Sequence, residues 1–219
     1  MKKQAGFTLI ELAIVLVIIG LLLGGVLKGQ ALIDSAKVKN MAADFKNVQV
    51  YIYGYQDKYR ALPGDDSKAV EHVGATKNGN LNGKIDDIWS SVDTDDESLN
   101  FWQHVRKAGL AAGDQTVASS GSYIPVNADN GRLGIQSGQT PSITGLKGVH
   151  VLCSDRVLGK FSKQLDVNID DGDPTKGSIM IVAYTTGGTS SPVTGTANVD
   201  PTTLASIGDN DFTTVCMAF

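Results

Sequence analysis

Phe7-Thr8-Leu9-Ile10-Glu11-Leu12-Ala13-Ile14-Val15-Leu16-Val17-Ile18-Ile19-Gly20-Leu21-Leu22-Leu23-Gly24-Gly25-Val26-Leu27 is an apolar run of 21 residues that carries one acid near its start. A helix of about this length, at about 1.5 Å per residue, covers roughly 30 Å, the thickness of a bilayer core. A short basic stub, Met1-Lys2-Lys3-Gln4-Ala5-Gly6, stands before it. Such lysines stay on the cytoplasmic side, which places the bulk of the chain across the membrane. An ordinary secretory signal has an apolar core of roughly 7 to 15 residues with its cut site behind the core. This run is longer. A plain uncleaved anchor accounts for the length but not for Glu11. A carboxylate costs roughly 2.5 to 3.5 kcal/mol near the bilayer centre and less toward an interface, where Glu11 could snorkel.

Gly6-Phe7-Thr8-Leu9-Ile10-Glu11 resembles the processing signature of type IV pilins and of the pseudopilins of type II secretion systems. The likeness rests on the basic leader, the Gly-Phe junction, the acid at the fifth position after it and the long apolar tail. It implies that a prepilin peptidase of the inner membrane cuts after Gly6 and methylates the new amino terminus at Phe7. It also implies that Glu11 serves assembly. The Phe7 amine needs a counter-charge among packed apolar helices, and Glu11 of a neighbouring subunit could supply it. Many pilins carry a proline past the middle of this helix. Here Lys28 stands in that region without one, so any softness comes from Gly20, Gly24, Gly25 and Gly29. Each costs roughly 0.8 to 1.0 kcal/mol against alanine. The Gly20/Gly24 spacing also suits close helix contact.

From Val38 the pattern changes. Val38, Met41, Phe45, Val48, Ile52, Tyr55 and Tyr59 recur at spacings of three and four, one apolar stripe on a helix. The helix should stop before Pro63. The expected fold is α+β: a long N-terminal helix, apolar in its first half and amphipathic in its second, packed on a small antiparallel sheet head with extra short helices and long loops. The expected divisions are a leader at 1–6, a membrane or filament-core helix at 7–27, an amphipathic helix at 28–60 and a periplasmic head at 61–219.

Within the head, residues 64–98 read as a long polar loop with one short turn of structure. A helix is expected around Glu97 to Ala111, with Leu99, Trp102, Val105 and Leu110 as its apolar side. Asp95 or Asp96 would cap its start and Gly113 its end. Ser122 to Val126 looks strand-like inside a Gly/Ser-rich stretch. Val149 to Cys153 reads as a strand, and Ser154 as the cap of a helix through Val157, Leu158, Phe161 and Leu165. Asp170-Asp171-Gly172-Asp173-Pro174 reads as a turn. Ser178 to Tyr184 and Phe212 to Phe219 read as strands, with a surface loop at 186–211 between them.

Composition bounds the function. The formal net charge is −4, and −6 once Lys2 and Lys3 leave with the leader. No long basic run follows, so nucleic acid is not indicated as a partner. Two cysteines, Cys153 and Cys216, suggest one disulfide in an exported chain and two buried thiols in a cytosolic one. A bridge between them would close a loop of roughly 60 residues and add about 4 kcal/mol in the chain-entropy picture. Similar pairs pin the C-terminal part of many pilin heads.

Asn78-Gly79-Asn80-Leu81-Asn82-Gly83-Lys84-Ile85-Asp86-Asp87 echoes the alternating oxygens of a calcium loop, with Asn78, Asn80, Asn82, Asp86 and Asp87 as candidate ligands. Trp89 stands where such a loop needs a bidentate glutamate, and a solvated polar turn is the simpler reading. Major pseudopilins bind calcium in a head loop, which makes calcium the one cofactor the resemblance raises. His72, His104 and His150 lack zinc-type neighbours, and no nucleophile or phosphate-loop motif appears. The expectation is therefore no enzyme. The chain reads as a structural subunit of a type II secretion pseudopilus or a type IV pilus. Its partners would be the peptidase, other subunits and the inner-membrane assembly platform. It would sit in the inner membrane as a single pass with a periplasmic head, and in the filament after assembly. The alternative is a membrane-anchored periplasmic binding module that never polymerises.

Overall fold

The computed structural model describes residues 8–138, 143, 145–183 and 208–219. The chain forms two compact units, residues 1–37 and 38–219. Helix α1, Leu9–Tyr59, contributes to both. In the first unit its large apolar side chains are exposed, from Leu9 at 89% to Leu27 at 71%. The segment is long and apolar enough to cross a membrane. Gly20, Gly24, Gly25 and Gly29 do not interrupt it, and a Cβ on any of them would meet nothing within 4 Å. No contact among the described residues therefore demands a glycine there.

In the second unit the stripe Val38, Met41, Phe45, Val48, Ile52 and Tyr55 is buried, as its spacing requires. Val38, Met41, Phe45, Val48 and Ile52 join one hydrophobic cluster with Val151, Leu152, Ile181 and Val215 of the sheet. Burying each large side chain of this kind contributes roughly 1.5 to 3 kcal/mol. α1 ends at Tyr59, and Arg60 turns the chain with φ of 55° before Pro63. Asp66 ties the next turn back to α1. It accepts from the Tyr55 hydroxyl at 2.7 Å and from the Lys68 N–H at 2.8 Å. The short helix α2, Ala69–Val73, follows.

Helix α3, Glu97–Lys107, is buried on every side from Glu97 to Arg106, beyond the apolar face that its sequence advertises. Some of its polar groups find partners inside, while Ser98 Oγ, Asn100 Oδ1 and Arg106 Nε have none among the described residues. The Arg106 guanidinium donates to the carbonyls of Asp114 and Tyr123 and lies 5.0 Å from the Tyr123 ring. The Tyr123 hydroxyl donates to the Leu99 carbonyl at 2.8 Å. The helix stops earlier than expected, at Gly109 rather than Gly113. Gly109 has φ of 77°, and the Leu110 and Gly109 N–H groups bond back to Val105 and Arg106, the Schellman arrangement. Asp96 occupies the N-cap position without making a side-chain cap bond.

Four strands make one antiparallel sheet in the order β1-β2-β4-β3: β1 Leu133–Ser137, β2 His150–Leu158, β3 Ile179–Ala183 and β4 Phe212–Ala218. Helix α4, Gly159–Ile169, sits between β2 and β3 in sequence. Two expectations are corrected here. Ser154 is not a helix cap: its hydroxyl accepts from the Asn127 amide at 2.7 Å, and β2 runs on through Val157 and Leu158. The register shifts between Ser154 and Val157, with Arg156 at φ of 52°, so a bulge stands where a helix start was expected. Ser122 to Val126 is not a strand. Gly121–Tyr123 forms a 3₁₀ turn, and Val126 makes a single bridge to Arg132. β1 was not foreseen at all. Of the expected loop at 186–211, residues 186–207 lie outside the described residues.

Candidate functional site

The N-terminal segment carries its single acid in the first turn of α1. Glu11 Oε2 accepts from the Thr8 N–H and from the Thr8 hydroxyl, both at 2.8 Å. The Glu11 N–H in turn donates to the Thr8 hydroxyl at 3.3 Å. This reciprocal pair is a capping box. It satisfies helix-terminal N–H groups that an apolar medium would leave bare. The Thr8-x-x-Glu11 pattern was visible in the sequence and gives Glu11 a role inside its own chain. Gly6 and Phe7, the expected cleavage and methylation residues, lie outside the described residues.

Cys153 of β2 and Cys216 of β4 form a disulfide, with Cα atoms 4.1 Å apart. They face each other directly in the register of the two central strands. Both are fully buried. The bridge therefore joins strands already paired by the ladder and closes a sequence separation of 63.

The asparagine loop is drawn together, but mostly around its own backbone. Asn78 Oδ1 accepts from the Val70 N–H, Asn80 Oδ1 from the Asn82 N–H, and Asn82 Oδ1 from the Lys84 N–H. The Asn80 and Asn82 amide nitrogens both donate to Asp86 Oδ2, at 2.9 and 2.6 Å. Asp87 lies near Asp96 rather than joining that group. Burial, and then the charge of Asp96, pushes its carboxyl above the usual range. Two acids that sequence reasoning passed over organise the loop. Asp65 accepts from the N–H groups of Asn82 and Gly83, and Glu97 from those of Asn80 and Asp86. Each amide oxygen is thus bonded to a backbone N–H, the pattern of a closed polar turn.

His104 is fully buried on α3. Its Nδ1 accepts from the Gly64 N–H at 2.9 Å, which leaves Nε2–H to face the Lys77 carbonyl at 3.3 Å. Burial holds its pKa down at about 4, and the Lys77 carbonyl and Asp66 offset this only in part. His104 thus acts as a neutral structural bridge between Gly64 and Lys77.

Residues 1–27 match the family model described as the prokaryotic N-terminal methylation motif. No curated protein and no solved structure matches the chain. The match is consistent with a prepilin-like N-terminus. With the exposed apolar helix behind it, the motif marks a membrane-anchored protein.

Proposed function

We propose that the chain is a structural subunit, cut after Gly6, N-methylated on Phe7 and assembled into a type II secretion pseudopilus or a type IV pilus. Residues 1–6 are the leader, 7–27 the membrane and filament-core helix, 28–60 its amphipathic continuation and 61–219 the periplasmic head. The observation that carries this reading is the matched motif at 1–27 followed by an apolar helical segment with no partner inside its own unit. Packed side by side in a filament, such segments cover each other. The four glycines, free of intrachain contact, then let helices approach closely. Other subunits and the inner-membrane assembly platform are the partners this requires.

A second reading, a membrane-anchored periplasmic binding module that does not polymerise, draws on the capping box. That bond pattern explains Glu11 without any neighbour. Glu11→Gln separates the two, because glutamine serves a capping box but carries no charge. As a filament counter-charge, Glu11 leaves the Phe7 amine unpaired when replaced, at about 3 to 5 kcal/mol. Both Glu11→Gln and Glu11→Ala are then processed but poorly incorporated into sheared filaments. Normal incorporation of Glu11→Gln alongside a defective Glu11→Ala reduces the residue to a helix cap and sinks the assembly role.

A further inference from the structure

The last turn of α4 carries an arrangement that neither the motif nor the proposed assembly uses. Asp166 lies on the buried face of the helix with Phe161, Ser162 and Leu165, and it is 0% exposed. Among the described residues, neither of its carboxylate oxygens has a hydrogen-bond partner. Such an orphaned buried carboxylate is expensive, since it has lost its water and gained nothing in return. Asp170 follows one helical turn later and Asp171 next to it. One oxygen from each of the three lies within 4.8 Å of the others. The backbone sharpens the problem, because the carbonyl end of a helix is itself negative.

The surroundings do not neutralise the group. Asp170 Oδ2 accepts from the Ser178 and Ile179 N–H groups at 2.6 and 2.8 Å, and Asp171 Oδ1 accepts from the Asp173 N–H at 2.9 Å. The neighbouring ammonium, Lys176, is paired with Asp173 at 2.7 Å. Burial, and then the charges of Asp170, Asp171 and Asp173, raise the Asp166 carboxyl to about 6. The nearby Gly172 N–H offsets this in part without reaching hydrogen-bond geometry.

We propose that Asp166, Asp170 and Asp171 bind a calcium-class divalent cation that clamps the end of α4 to the start of β3. All donors are carboxylate oxygens, which suits a hard cation. Oxygens held at about 2.3 to 2.6 Å from Ca²⁺ stand up to roughly 5 Å apart across the ion, matching the span of this group. The cation would supply the partner that Asp166 lacks, and the Asp170 bonds to Ser178 and Ile179 would carry its effect into the sheet. The site is separate from the asparagine loop.

The test uses the full-length chain in detergent, stripped with chelator and titrated with calcium chloride, with melting followed by tryptophan fluorescence. At calcium a hundredfold above Kd, the melting temperature should rise by about 5 °C or more. Calorimetry should give one site. Asp166→Asn should fold, melt no lower than the stripped wild type because a buried charge has gone, and lose the calcium response. Asp86→Asn, in the asparagine loop, should keep that response. No calcium response in the wild type overturns the proposal. So does an undiminished response in Asp166→Asn, or a response abolished by Asp86→Asn alone.

Discussion

Acidification should loosen the head through one buried imidazole. His104 is neutral in the fold because its Nδ1 accepts the Gly64 N–H and its ring is removed from water. Its pKa of about 4 lies below the ordinary 6.5. A histidine so depressed binds fewer protons folded than unfolded, so its contribution is fully present above pH 6.5. That contribution is lost as the pH falls through the window toward 4. Between pH 7 and pH 4.5 the loss is about 2 to 3 kcal/mol, a large share of a typical stability of about 5 to 15 kcal/mol. Trp89 and Trp102 are both buried in the same unit, so their fluorescence in a urea titration of the detergent-solubilised chain reports this unfolding. Buried carboxylates also titrate in this range, so the informative quantity is the difference between wild type and His104→Gln at each pH. That difference should shrink as the pH falls, because the variant has no imidazole to protonate. Equal losses in both proteins would refute the assignment of His104 as the neutral bridge.

Two further outcomes follow from the sheet. Replacing Cys153 and Cys216 together by alanine should lower stability by about 4 kcal/mol by freeing a loop of 63 residues' separation. An unchanged urea midpoint would mean the ladder alone holds β2 to β4. Gly134→Ala should cost about 1 to 3 kcal/mol, because the added methyl would collide with the Trp89 carbonyl oxygen. A variant as stable as wild type would show that the 85–89 segment can move away from β1 freely.

Gly134 also shows why part of the fold escaped the sequence. β1 reads Leu-Gly-Ile-Gln-Ser, with a glycine and two polar residues in five positions, and no alternation marks it. Its polar side chains are used on an edge rather than in solvent. Gln136 accepts from the Trp89 N–H at 3.0 Å, and Ser137 from the Ile85 N–H at 2.7 Å, so both pin the neighbouring loop. That pairing is long-range, and no local pattern records it. By contrast, the α1 stripe, β3 and β4 carry their periods openly, because one face or both faces are apolar. The start of α4 misled for the opposite reason: Ser154 is a good local cap, but Asn127, 27 residues away, claims its hydroxyl. In the N-terminal segment, Glu11 stood out as an acid in an apolar run, while its cap partner Thr8 was legible only as a spacing. Asp166 leaves a comparable trace, an acid on the buried face of an amphipathic helix with a second acid four residues on, just ahead of a turn signal.

The central claim is that this is a processed prepilin-like subunit, and the mass of its mature N-terminus tests that most directly. Intact-mass and N-terminal peptide analysis should be made on the chain expressed with its prepilin peptidase and in a peptidase-null strain. A processed subunit gives a chain beginning at Phe7 and bearing one added methyl group in the first case, and an unmodified chain retaining Lys2, Lys3 and Gly6 in the second. A chain cut behind Leu27, or one that keeps its leader in the presence of active peptidase, would contradict it.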